Sequence, residues 1–150
     1  MHMIYAIWLL LGLVLGSILL IYARSYSQRG EIQVLTIALV IAAIIYVGFA
    51  IIWGNLIWVA IELAGLPIYG LFAWLAIRYA YYYLLGIGWM LHPIWDVVLH
   101  LFGPGRWLAP EWYAMGCITF DLLIAVYIFY RMSYWQQQNA QYTSAVVSEA

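Results

Sequence analysis

The sequence predicts an all-α, polytopic integral membrane protein with about five transmembrane helices, its N-terminus outside and its C-terminus in the cytoplasm. Three observations carry this expectation. Of 150 residues, 69% are hydrophobic and only 7% are charged, against the roughly 25% charged of a soluble domain. The apolar residues form runs that can cross a hydrocarbon core of ~30 Å, which takes about 20 helical residues. With five spans counted, Arg24, Arg29, Arg78 and Arg131 fall on one side and Arg106 alone on the other, as the bias of basic residues toward the cytoplasm requires. A four-span count scatters the arginines across both sides.

The first span covers residues 3–22. It is longer than a signal-peptide core, has no basic residue before it and no small-x-small site after it, so it is expected to be retained. Gly12 and Gly16 give it a G-x-x-x-G face for close helix packing. A polar link, "ARSYSQRGEIQ" (23–33), follows. The stretch from Val34 to Phe102 is almost unbroken in its apolarity and is long enough for about three spans. Its breaks are the turn dipeptide Gly54-Asn55 and the neighbourhood of Arg78, giving spans near 34–53, 56–77 and 80–102. The segment "GPGRWLAP" (103–110) must turn, and a fifth span runs over 111–131. Residues 1–132 are thus one helical bundle, and 133–150 form a polar C-terminal tail, expected to be disordered beyond a frayed helix end. Trp107 and Trp112 at one end, and "RYAYYY" with Tyr130 and Trp135 at the other, read as interfacial belts.

The near-neutral balance, −1 overall, gives no basic patch for nucleic acid. The single cysteine, Cys117, excludes an intramolecular disulfide and cysteine-rich metal motifs; it reads as a small packing residue. The partners expected are the bilayer, an apolar lipid ligand, and a second copy or a larger membrane complex.

An ionisable side chain at the bilayer centre costs at least ~2.5–3.5 kcal/mol, so each one asks for a partner or a purpose. Glu62, His92, Asp96 and Asp121 lie well inside the spans, with Asn55, His100 and Glu111 nearer the outer boundary. At ~1.5 Å rise per residue, Glu62 and Asp96 sit roughly 9 Å deep, and His92 and Asp121 roughly 15 Å. Depth therefore pairs His92 with Asp121 and Asp96 with Glu62, in one outward-opening pocket between spans three, four and five. His92, Asp96 and His100 recur every four residues and share a helix face, with His100 at the rim. Pro93 and Pro67 free the carbonyls of Trp89 and Leu63 and kink the helices beside the pocket.

Three functions fit such a pocket. A buried carboxyl, Glu62 or Asp96, can serve as general acid, with His92 as base and Asp121 as its orienter. Asn55, Trp58, Tyr69, Trp89, Trp95, His100 and Tyr113 would contact the substrate, and their π-faces suit a developing cation. That chemistry fits an isomerase, cyclase or hydratase acting on an isoprenoid-like lipid. Alternatively the carboxylate–histidine pairs only tie helices together, worth about 0.6–2 kcal/mol each, in a structural or assembly subunit. Proton or ion conduction is a third reading, although no inverted repeat is visible. No metal or cofactor is expected. His92 and His100 stand about 12 Å apart along the axis, too far to share an ion. A mononuclear site would need His92/Asp96 or Asp96/His100 joined by Glu62 or Asp121.

Residues 86–132 resemble a family of small bacterial membrane proteins of unknown function, with a Gly-Trp…His…Trp-Asp…His signature. The positions here are Gly88, Trp89, His92, Trp95, Asp96 and His100, followed by Pro110, Cys117 and Asp121. The resemblance implies a shared fold and polar pocket in a bacterial cytoplasmic (inner) membrane, and no particular activity. A weaker likeness to the sterol-isomerase and sigma-2-receptor-like membrane fold rests on Glu62 before Leu66-Pro67, then Gly88 and His92. It implies a pocket for an apolar ligand.

Overall fold

Hydrocarbon offers no hydrogen bonds to an unpaired backbone, so each apolar run must satisfy its own amides as a helix. The computed structural model of the protein describes residues 2–148. It contains α1 (His2–Arg24), α2 (Gln28–Ile52), α3 (Leu56–Tyr79), α4 (Tyr82–Asp96) with a π-helical turn at Val97–Leu101, and α5 (Glu111–Ser148). No strand occurs among the described residues. All five helices, α4 together with its π turn, are long and apolar enough to cross a membrane. The large apolar side chains left exposed along them, among them Ile7, Leu10, Ile37, Leu71 and Val126, suit a lipid-facing surface.

The helices pack in the order α1, α5, α4, α3, α2, each extensively on the next, while α2 touches α1 and α4 more sparingly. Gly54, at φ +65°, makes the left-handed turn between α2 and α3 that glycine adopts without penalty. The Asn55 side chain then caps α3 by accepting the Trp58 backbone N–H at 3.1 Å. Asn55 is therefore a helix cap.

At the α1–α5 crossing the G-x-x-x-G face lets two backbones meet. A Cβ on Gly12 would collide with the Gly116 carbonyl and Thr119 Oγ1, and one on Gly16 would crowd Leu123 and the Phe120 backbone. Thr119 Oγ1 donates to the Leu9 carbonyl across this contact at 2.6 Å. Gly12→Val is expected to cost about 1–3 kcal/mol through overpacking, read as a lower apparent Tm in detergent by tryptophan fluorescence. Gly48→Ala, where a Cβ meets nothing within 4 Å, should leave Tm unchanged or slightly raised.

The helix ends depart from the sequence expectation at the end that holds Arg24 and Arg29. Much of the link 23–33 is helical, because α2 already begins at Gln28. Glu31, 2% exposed, accepts from Arg131 Nη2 at 3.2 Å and Trp135 Nε1 at 3.0 Å, and from the Tyr127 hydroxyl. This ion pair places Arg131 at the same end as Arg24 and Arg29. The tail is corrected similarly: α5 continues to Ser148 instead of dissolving after residue 132. Trp135 is fully buried, Gln28 donates to its carbonyl at 3.0 Å and to Asn139 at 3.2 Å, and Asn139 reaches Tyr82. Residues 149–150 of the expected tail lie outside the described residues.

Candidate functional site

The polar residues inside the apolar helices gather where α2, α3, α4 and α5 meet. Glu62, His92, Asp96, His100 and Asp121 are all 4% exposed or less. His92 Nδ1 donates to Asp121 Oδ2 at 2.9 Å, the pairing that depth predicts. The same nitrogen lies 3.6 Å from Asp96 Oδ2 on the next turn of α4. Asp96 therefore pairs with His92 and not with Glu62.

Glu62 instead faces His100, with Oε1 3.2 Å from Nε2, and accepts Trp95 Nε1 at 3.2 Å on Oε2. The π turn explains this. In a continuous α-helix, His100 would lead His92 by roughly 80° of rotation. The wider turn at Val97–Leu101, closed by Phe102 N–H on the Val97 carbonyl at 3.0 Å, takes up that lead and returns His100 to the bundle side. His100 is not a rim residue; it is 1% exposed. Its Nδ1 lies 3.3 Å from the Gly105 carbonyl. Donation there would leave Nε2 facing the Glu62 carboxylate. Gly105 has no Cβ because Trp58 lies against it.

Tyr46 of α2, which no sequence motif singles out, joins the two pairs. Its ring stacks on His100 at 4.4 Å and 17° and lies 6.0 Å from His92. A single tyrosine inside a strongly apolar run is the sequence signal that points to it. Tyr69 packs edge-on to His92 at 5.2 Å, Trp58 tilts over His100 at 5.9 Å, and Tyr113 meets Tyr46 at 5.6 Å. Trp89 does not join them. Its indole donates to the Leu35 carbonyl at 3.2 Å and its ring packs by Phe120 in the apolar core.

The centre does not open outward between spans three, four and five, because Trp58 and the 103–110 loop lie over His100. The adjoining space is lateral, a groove of about 350 Å³ between α1 and α2 with α5 as its floor. Leu11, Leu15 and Ile41 form its exposed rim. Ala42, Cys117 and Asp121 line its inner part. The groove exists because α1 leans on α5 through glycine and leaves α2 sparsely covered. His92, Asp96 and Asp121 each offer a ligand atom, all within 4.8 Å of one another, so these three side chains are geometrically able to hold a cation.

A model of a family described as of unknown function, DUF6010, matches residues 3–133. The chain belongs to the DUF6010 family. No curated protein and no solved structure matches it. The match is consistent with the expectation of an uncharacterised family. Every residue of the DUF6010 centre described above falls inside the matched range.

Proposed function

We propose that this DUF6010 protein binds an apolar, isoprenoid-like lipid in the groove between α1 and α2 and acts on it by acid/base chemistry, within a bacterial cytoplasmic membrane. The observation that carries this reading is that the groove reaches Asp121, whose carboxylate holds His92 at 2.9 Å. A membrane-facing cleft that ends on a buried histidine–carboxylate pair has the make-up of a ligand site, apolar walls with few convergent polar groups.

In the chain alone, His92 is the proton carrier, with Asp121 fixing its orientation through Nδ1 and Asp96 as the second acid. An isomerisation fits this arrangement because it delivers one proton to a carbon and removes another, leaving the centre unchanged overall. Tyr46 and Tyr69 place π-faces beside His92, suited to a cationic intermediate. The Glu62–His100 pair, one aromatic ring away, supports the centre from the loop side.

Mass spectrometry of lipids retained after gentle purification tests the reading. One lipid class is expected to be enriched over the bulk membrane extract with wild-type protein, and lost with Ala42→Phe, which fills the groove from α2. A retained profile equal to the bulk extract for both proteins would overturn the reading and favour a purely structural subunit.

A further inference from the structure

Two carboxylates and an imidazole meet inside the apolar bundle with no fixed cation beside them. The arginine ion pair among the described residues, Arg131–Glu31, belongs to the α1–α2 link end of the bundle. With a neutral imidazole, ionised Asp96 and Asp121 would carry a net charge of about −2 into a medium where isolated charge is severely penalised. Their lone pairs are also unfilled. Neither oxygen of Asp96, 0% exposed, meets hydrogen-bond geometry with the Tyr46 hydroxyl that faces it, and Asp121 Oδ1 has no partner either. Buried polar atoms are nearly always satisfied, so three orphaned oxygens in one cluster call for a ligand.

We infer that His92, Asp96 and Asp121 bind one divalent first-row transition-metal cation, with an open coordination position toward the groove. The spacing fits. Atoms bound at about 2.0–2.2 Å to one ion stand about 2.8–3.6 Å from one another. His92 Nδ1 lies 2.9 Å from Asp121 Oδ2 and 3.6 Å from Asp96 Oδ2. A dipositive ion balances both carboxylates and gives Asp96 Oδ2 the partner it lacks. One imidazole nitrogen with carboxylate oxygens suits zinc, manganese or ferrous iron, and three protein ligands with a free position is the pattern of reactive sites rather than structural ones. Sequence order supplies the set economically. His92 and Asp96 are one turn apart on α4, Asp121 projects from the facing α5, and the π turn begins directly after Asp96, a distortion that recurs at functional sites. The second pair, Glu62–His100, lies outside the three-residue set.

This deepens the acid/base reading and rests on it only for what the cation does: it would supply Lewis acidity beside the groove and make His92 a ligand instead of a base. The test uses the full chain, purified in mild detergent without chelator and without a histidine tag. Elemental mass spectrometry is expected to find a stoichiometric first-row metal. After chelation, added Co²⁺ should give visible ligand-field bands that saturate at stoichiometry. Asp96→Asn and Asp121→Asn should abolish both signals, and Glu62→Gln should keep both. Should a variant misfold, a Zn²⁺-dependent rise in the Tm of metal-stripped wild-type protein tests the site without mutation. Wild-type protein that neither copurifies with metal nor takes up Co²⁺, Zn²⁺ or Mn²⁺ would overturn the inference, as would folded Asn variants that bind like wild type. Metal without a retained lipid would support the cation site and sink the acid/base reading on a lipid. A retained lipid without metal would do the reverse.

Discussion

Glu31→Ala is expected to remove about 3–5 kcal/mol of stability, the cost of breaking a buried ion pair by deleting one partner. Glu31 is 2% exposed and is the common acceptor for the Arg131 guanidinium, the Trp135 indole and the Tyr127 hydroxyl. Alanine leaves three donors facing a void, and with them goes the tie between the start of α2 and the extension of α5. Such a loss is a large share of the total for an ordinary protein, about 5–15 kcal/mol. Arg131 retains some exposure, with 18% of its side chain accessible, so it can turn outward, which holds the effect toward the lower end. Glu31→Gln should fall between, because an amide oxygen still accepts from Trp135 or Tyr127 but offers no charge to Arg131. The measurement is apparent Tm in detergent, together with protease sensitivity after residue 132. An unchanged Tm and an uncut tail in Glu31→Ala would show that this cluster does not anchor α5.

That cluster also marks where sequence reading stopped. The existence of five spans follows from run length and composition, and each apolar run is a helix. Their ends do not follow. Glu31, Gln28, Trp135 and Asn139 stand in stretches polar enough to read as link and tail, yet their partners lie about a hundred residues away in the chain. No local pattern encodes that meeting. Depth arithmetic paired His92 with Asp121 correctly because the helix up to His92 rises regularly. It failed one turn later, since the π turn moves His100 onto Glu62 and leaves Asp96 with His92. The groove was illegible for a different reason. Leu11, Leu15 and Ile41 have the same composition whether they face lipid or line a cleft, and only the close α1–α5 contact at Gly12 and Gly16 decides which. The G-x-x-x-G face pointed to tight packing without saying against which helix.

Asp96→Asn should leave the metal-stripped protein as stable as wild type or raise its stability by about 1–3 kcal/mol, the usual cost of an unsatisfied buried polar group. At the same time it should abolish metal uptake and any activity. Asp96 is fully buried and neither of its oxygens meets hydrogen-bond geometry with a partner, so its charge burdens the empty bundle. Asparagine keeps the shape, removes the charge and brings further N–H donors to the centre. His92→Ala should behave oppositely. It deletes the 2.9 Å bond to Asp121, opens a cavity beside Tyr69, and leaves two carboxylates without their shared partner, so Tm falls. Opposite signs at two residues only 3.6 Å apart are what a site held for function produces, where stability is given up for a ligand. If the centre were only a helix staple, Asp96→Asn would destabilise as well, because it removes the charge that faces the His92 imidazole at 3.6 Å. A Tm drop in Asp96→Asn comparable to that in His92→Ala, measured on metal-stripped protein, would therefore assign the centre to architecture.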